Sequence, residues 1–316
     1  MQDIRETIPL FFSVDDRYVP YLGVMINSLI ASASPKYDYK AIILYQDITE
    51  RNQKRLKEQE TASFTLEFVP MANVLERQMT ADNAKLRGDY STLTIYFRLF
   101  IADMFPQFDK AIYLDADMLA PGDISELYEM ELGDNLIAAA PDTFTASIPE
   151  GVNYDNNAVG VPAGKYVNSG VLLLNLKQFR ATNFSKQFLE LFNRYHFSVI
   201  APDQDYLNAL AYQKTLYLDP KWNDQTAVPE MLTADPKIIH YNLFKKPTHY
   251  ENVPHETFFW ETARKSGFYD ELLEMKKHYS SKDVQQDQTN LVSLIKMANS
   301  VPDEEITFKK VLNGGE

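Results

Sequence analysis

Along most of the chain, short and nearly unbroken apolar runs alternate with longer amphipathic stretches. IPLFFSV (8–14), KAIILY (40–45), FTLEFV (64–69), KAIYLDAD (110–117), NLIAAAPD (135–142), YVNSGVLLLNL (166–176), KTLYLDP (214–220) and KIIHYN (237–242) predict strands. Few of them alternate apolar with polar positions, which is the pattern of strands covered on both faces of a sheet. Between them, VPYLGVMINSLIAS (19–32), TERNQKRLKEQE (49–60), TLTIYFRLFIADMF (92–105) and FSKQFLELFNRYHF (184–197) carry helical periodicity, the third stopping before Pro106. This alternation predicts an α/β fold, a doubly wound and mostly parallel sheet flanked by helices. From about Tyr250 the pattern changes. ETFFWETARKSGFYDELLEMKKHYSSK and DQTNLVSLIKMANS read as helices with no strand between them, and ITFKKVLNGGE is expected to fray. The expected division is an α/β domain over 1–250 and a helical C-terminal appendage over 251–316.

Composition narrows the function. The chain's 316 residues are 45% apolar, enough for one large α/β domain with an addition. There is no cysteine, which excludes disulfides and thiolate metal sites. MQDIRETIPL places Asp3, Arg5 and Glu6 where a secretory signal needs an apolar run. The longest apolar stretches, such as VLLL at 171–174, are far too short to span a bilayer. The expectation is a cytoplasmic protein with no transmembrane segment, in contact at most with the cytoplasmic face of a membrane. A net charge of −13 argues against nucleic acid as a partner, and it makes an anion hard to hold unless a cation assists.

Polar residues gather where the predicted strands end. Asp115 and Asp117 close KAIYLDAD with only Ala116 between them. Residues i and i+2 of an extended segment point the same way. Two close carboxylates repel unless a cation lies between them, so the pair predicts a divalent metal site with oxygen ligands. The bland alternative is a solvated turn. After PGD, Asp123 or Ser125 is expected to cap a short helix. Asp15 and Asp16 follow the first strand. One of them suits helix capping, while an aspartate can also accept the N3–H of a uracil ring on which Tyr18 can stack. His240 ends another strand, ahead of Lys245, Lys246 and Pro247. A neutral imidazole there completes an N,O,O ligand set that favours manganese, and a lysine can meet phosphate. His196, His249, His255 and His278 read as structural or surface residues. Asp203-Gln204-Asp205 opens a helix after Pro202, where capping explains one acid but not the glutamine between two. Asn168-Ser169-Gly170 interrupts an apolar strand, the mark of a bulge or of close approach to a ligand.

In series, DDRYVPYLGV, IYFRLF, YLDADML, AAAPD, VNSGVLLLNL, DQDYLN and HYNLFKKP resemble one family, the retaining sugar-nucleotide glycosyltransferases of family eight, over roughly residues 8 to 250. That family includes glycogenin and bacterial lipopolysaccharide galactosyl- and glucosyltransferases. The resemblance implies a GT-A fold, a Rossmann-like sheet with helices on both sides. It implies that Asp115, Asp117 and His240 hold Mn²⁺, with Mg²⁺ as a substitute, on the diphosphate of a UDP-sugar. Ser13, Val14, Asp15 and Tyr18 match positions that cradle uridine, and Ala116 matches a ribose contact. Arg98, Asp142, Asn168, Asp203 and Gln204 match residues that face the donor sugar. Lys246 matches the phosphate-binding lysine of an HxxGxxKPW signature, in which Leu243 here replaces the glycine and Thr248 the tryptophan.

The implied activity is transfer of galactose or glucose from a UDP-hexose, with retention, to a glycan, glycolipid or glycoprotein acceptor in cell-surface glycan biosynthesis. Gln204 and Asp203 are the implied catalytic residues. A same-face mechanism is favoured because the amide of Gln204 is a poor nucleophile, with Asp203 as a transient nucleophile the alternative. Two other readings remain. A phosphatase of the haloacid-dehalogenase type also uses Asp-x-Asp, but near the chain start and without Leu119 in that place. A UDP-sugar or glycan-binding protein on the same fold would fit the altered Leu243. Trp260, Phe258, Phe259 and Phe268 are expected to pack the appendage onto the catalytic domain, where it also helps to dock a larger acceptor.

Overall fold

The computed structural model describes residues 5–71 and 93–314. Asp3 and Thr92, named in the expectations above, lie outside the described residues. In chain order the strands are β1 (Thr7–Val14), β2 (Asp38–Tyr45), β3 (Phe64–Pro70), β4 (Ala111–Leu114), β5 (Met118–Leu119), β6 (Ile137–Ala139), β7 (Val171–Leu174), β8 (Thr215–Tyr217), β9 (Asp224–Gln225) and β10 (Ile239–His240). Seven of them form one sheet in the order β3-β2-β1-β4-β7-β6-β8, and a small second sheet runs β5-β10-β9. Neighbours in the large sheet are parallel except β7, which is antiparallel to both β4 and β6.

The unbroken apolar runs are explained by burial on both faces. Ile8, Leu10, Phe12 and Val14 of β1, with Ile112 and Leu114 of β4 and Val171 and Leu173 of β7, pack on one side against the helix Val19–Ser32. Phe11, Ala111, Tyr113, Leu172 and Leu174 point the other way into a second core, shared with the segment 96–105 and the helix Phe184–Arg194. The period of two thus sends one strand into two cores.

Several elements are shorter than the patterns predict. KAIYLDAD is strand only to Leu114, so Asp115 and Asp117 lie in the bend beyond it. YVNSGVLLLNL is strand only from Val171, and the Asn168-Ser169-Gly170 step is a turn ahead of the strand rather than a bulge inside it. The cause is side chains that take over backbone groups there. Asn208 Oδ1 accepts from Val167 N, Gln204 Oε1 from Ser169 N, and Asn168 Oδ1 from Gly170 N. KIIHYN contributes Ile239–His240 to the small sheet, not the large one. The helix expected over 92–105 is a 3₁₀ segment, Leu93–Phe100, followed by a short α-turn, Ile101–Met104.

The C-terminal segment is helical and folded onto the sheet. Its helices are Glu256–Ala263, Tyr269–His278, Ser281–Ser300 and Phe308–Leu312. Phe259, Ala263, Phe268 and Leu272 belong to the core on the Val19–Ser32 side, with Phe258 and Trp260 half-buried beside them. The stretch expected to fray is instead anchored by Phe308, whose ring stacks 4.0 Å from Phe197 in the opposite core. A capping box between Ser280 and Asp283 starts the long helix. Among the described residues, no helix is long and apolar enough to cross a membrane.

Gly23 lets the appendage close. A Cβ there would sit 2.3 Å from Cδ2 of Phe268. Gly23→Val is therefore expected to destabilise the fold by about 1–3 kcal/mol through overpacking. The check is a lowered midpoint in thermal or urea unfolding, and a midpoint equal to the parent's would show that Phe268 is not held there.

Candidate functional site

The residues matched above to the metal, the uridine, the ribose and the donor sugar, with Lys246, all line one cavity of about 380 Å³ at the carboxyl ends of β1 and β4. Parallel strands direct the loops that follow them to this edge of the sheet. Ser13 and Val14 end β1, and Asp15 begins the loop after it. Asp15 caps the 3₁₀ turn Asp16–Tyr18, accepting from Arg17 N at 3.1 Å and Tyr18 N at 3.3 Å. Asp16 turns away and accepts from Thr49 N and Asn52 Nδ2, both at 2.9 Å. Tyr18 stands at the mouth, 38% exposed. Beyond the next turn, Asp123 Oδ1 accepts from Ser125 N at 2.9 Å, which closes the loop before the helix Ser125–Tyr128.

Asp115, Asp117 and His240 converge so that one ligand atom from each lies within 4.8 Å of the others. They come from the bend after β4 and from β10, and the antiparallel pairing of β10 with β5 sets His240 opposite Met118. A chain of amides orients the imidazole. Asn168 Nδ2 donates to Asp142 Oδ2, Asn223 Nδ2 donates to Asn168 Oδ1, and Asn223 Oδ1 lies 2.9 Å from His240 Nδ1. A carboxamide oxygen only accepts, so the proton sits on Nδ1, and the lone pair of Nε2 faces the carboxylates as a third donor for a cation placed between them. Nε2 is 3.5 Å from Asp117 Oδ1 and 3.9 Å from Asp115 Oδ2. Two carboxylate oxygens and one imidazole nitrogen fit a divalent cation of the manganese type. Gly170 makes room for this cluster, since a Cβ on it would lie 2.5 Å from His240 Cε1 and 2.9 Å from Asp115 Oδ2.

Two buried cations hold the acids. Lys246 Nζ donates to Asp117 Oδ2 at 2.5 Å and to Tyr241 O at 2.7 Å. Burial opposes the charge on Asp117, but Lys246 outweighs it and holds the carboxyl below the usual carboxylate range. Arg98, stacked 4.2 Å over the Tyr113 ring, donates to Asp115 Oδ1 at 2.9 Å and pairs with Asp203 Oδ2 at 3.1 Å. Burial pushes Asp203 up, Arg98 pulls it down and Asp115 pushes it up again, with a raised value as the result. Gln204 is pinned through both ends of its amide, accepting from Ser169 N at 2.9 Å and donating to Asp142 Oδ2 at 3.3 Å.

The loop that carries the altered signature keeps an unusual backbone. Leu243 has φ +56°, in the left-handed region that costs a side-chain-bearing residue about 1–2 kcal/mol and a glycine nothing. Its side chain packs against the cluster around Tyr154 and Val161. Thr248 is fully buried and hydrogen-bonded to the Tyr21 hydroxyl.

Asn223, Ser169, Tyr113 and Gly170 support the site but were not given these roles from the sequence. Nothing in the linear pattern links Asn223 to His240, which is seventeen residues away in the chain. Asp155 was also missed. It is 1% exposed, and burial first, then the charge of Asp142, pushes its carboxyl up to about 8.

The sequence model of the family described as Glycosyl transferase family 8 matches residues 9–252. General stress protein A of Bacillus subtilis (strain 168) is 25% identical over 87% of this chain and 94% of its own length. A lipopolysaccharide 1,2-glucosyltransferase of Escherichia coli (strain K12) is 25% identical over 87% of this chain and 85% of its own. The galactosyltransferase LgtC, solved with donor and acceptor sugar analogs, superimposes with a TM-score of 0.67 at 23% identity, over 82% of this chain and 96% of that one. That likeness shows a shared GT-A fold.

Gly170→Ala is expected to weaken Mn²⁺ binding by about 10–100-fold, because it displaces the imidazole and Asp115 together. Isothermal titration with MnCl₂ reads this directly, and parental affinity would count against the cluster as a cation site. A second expectation concerns pH. Asp155 is raised to about 8, above an unfolded aspartate at about 3.9. Its contribution to stability is then complete below about pH 4 and lost as pH rises through about 8. Asp155→Asn keeps the shape without ionising, so its melting temperature should fall less than the parent's between about pH 5 and pH 9. Parallel profiles would contradict this.

Proposed function

The chain belongs to glycosyl transferase family 8, and from that premise we propose that it is a metal-dependent retaining hexosyltransferase with a UDP-sugar as donor. Donor galactose or glucose and a glycan, glycolipid or glycoprotein acceptor are the substrates, in cell-surface glycan assembly on the cytoplasmic side. Catalysis is assigned to 1–250, with 251–316 as its helical appendage. The observation that carries this reading is the Asp115–Asp117–His240 donor set beside buried Lys246 and Arg98, in the same cavity as Gln204 and Asp203.

Asp115, Asp117 and His240 are the residues that would hold Mn²⁺, or Mg²⁺ in its place. When bound, the cation supplies charge that stabilises the leaving diphosphate. Lys246 is placed to add a second positive charge to the phosphates, in a protein whose net charge of −13 repels them. Asp15 and Tyr18, with Ser13, Val14 and Ala116, line the cavity and are assigned to uridine and ribose. Tyr18 presents a ring for the base to stack on. Arg98, Asp142, Asn168, Asp203 and Gln204 line the same cavity and are assigned to the sugar.

The chemistry at the anomeric carbon follows from how Gln204 and Asp203 are held. The Gln204 amide is a poor nucleophile and is tied at both ends. Asp203 Oδ2 is engaged by Arg98 and by Ser169 Oγ at 2.9 Å, which lowers its reach as a nucleophile. A same-face displacement fits better. The acceptor oxygen forms its bond to the anomeric carbon on the side from which UDP departs, and the departing phosphate oxygen takes the acceptor's proton. Gln204 and Asp203 shield the oxocarbenium-like sugar from the opposite side. A non-catalytic reading would rest on Leu243, and that residue holds the backbone conformation a glycine would take.

The test is UDP release from a panel of UDP-hexoses with and without Mn²⁺. Release is expected with one donor, only with metal, and reduced on the order of 100-fold or more in Asp117→Ala. A wild-type protein that releases no UDP from any donor would sink the proposal.

A further inference from the structure

The helix Ser281–Ser300 forms part of the wall of the same cavity. It is amphipathic, and its inward face can be followed by burial. Leu294 and Ala298 are buried against Tyr154, Val159 and Val161. One and two turns earlier on that face stand Asn290 and Asp287, half-buried and lining the cavity with Leu294. The outward Val292 is 50% exposed. A helix that only packed would carry apolar residues at these inward positions. Instead it turns an amide and a carboxylate toward the space occupied by neither strand nor core.

Both groups are held ready. Asp287 Oδ2 accepts from Tyr250 OH at 2.7 Å and from Tyr279 OH, which leaves Oδ1 as an acceptor. Tyr279 is itself fixed by stacking on His249 at 4.0 Å with the rings 5° apart. Asn290 Oδ1 accepts from Gln286 Nε2 at 2.9 Å, which leaves its Nδ2 to donate. Phe244 and Leu294 supply apolar surface on the same wall. Side chains locked by neighbours before a ligand arrives bind it at low entropic cost. His249 on this wall adds no positive charge beside Asp287, since burial and then Lys246 push it down to about 4.

We propose that this face of the helix Ser281–Ser300 is the acceptor subsite, and that it selects a neutral sugar. Asp287 Oδ1 accepts from one sugar hydroxyl, Asn290 Nδ2 donates to another, and the C–H face of the pyranose rests on Phe244 and Leu294. A uronic acid or a sugar phosphate is disfavoured by the Asp287 carboxylate. The assignment rests on the transferase reading given above and extends it to the acceptor. It makes the C-terminal appendage a specificity element and not only a packing layer.

The experiment measures UDP release from the active donor with Mn²⁺, alone and with methyl glycosides. Neutral probes are the methyl glycosides of glucose, galactose, N-acetylglucosamine and lactose; acidic probes are methyl glucuronide and glucose 6-phosphate. A neutral glycoside is expected to raise the rate above the acceptor-free rate. Asp287→Asn and Asn290→Leu should each raise KM for that glycoside by about tenfold, the value of one hydrogen bond to a charged or well-placed partner. KM for the UDP-sugar should stay at its parental value, and Val292→Ala should move neither. Thermal unfolding of each variant identifies loss of fold, and either variant alone suffices if the other unfolds. The subsite is overturned if no neutral glycoside stimulates a metal-dependent release that the donor alone supports. It is also overturned if acidic sugars stimulate preferentially, or if folded variants keep the parental acceptor KM. Absence of UDP release from every donor would be the different failure, that of the transferase reading, and the subsite would fall with it.

Discussion

Asp115, Asp117, Asp142 and Asp203 meet at one edge of the sheet in a chain already carrying −13, and their mutual repulsion is the constraint around which the site is arranged. Arg98 and Lys246 are buried among them, each 6% exposed or less. Arg98 ties Asp115 to Asp203, and Lys246 ties Asp117 to the carbonyl of Tyr241. Removing one member of such a buried pair strands the other, at a cost of about 3–5 kcal/mol. The residual carboxylate oxygens, with the Nε2 of His240, are then the groups left for a divalent cation. The same charges that would destabilise the fold are the ones the proposed cation would use.

Amides do the work that charge cannot. Asn223, Asn168 and Gln204 pass hydrogen bonds between His240, Asp142 and the backbone of the Asn168-Ser169-Gly170 turn. Each buried amide has its oxygen accepting and its nitrogen donating, so a single arrangement satisfies the whole chain. This network is also why β7 begins at Val171. Backbone groups that a longer strand would pair with β4 or β6 are taken by side chains, and the turn then brings Gly170 against the imidazole. The geometry of the candidate site and the strand boundary are set by the same hydrogen bonds.

The two departures at the C-terminal edge of the site have a common logic. Leu243 keeps a left-handed backbone at some cost and gains packing in the cluster that also holds Leu294 and Ala298. Thr248 is small enough to be fully buried beside Tyr21. Leu243 thus packs against the segment after residue 250, whereas Thr248 packs against the helix Val19–Ser32.

Much was decided in the sequence. The apolar runs and helical periods located the strands and helices, because burial on both faces needs an unbroken run and that is visible locally. The polar residues at strand ends named the candidate site, because parallel topology brings those ends to one edge. What local pattern did not carry was the outcome of competition between distant groups. The reversed direction of β7, the transfer of His240 to a second sheet and the early ends of β4 and β7 depend on partners far away in the chain. So do the tautomer of His240, set by Asn223, and the placement of Asp287 and Asn290 on a cavity wall. A residue's chemistry is written in the sequence, but its hydrogen-bond partner and its neighbouring charge are properties of three-dimensional packing, and only the tertiary structure decided them.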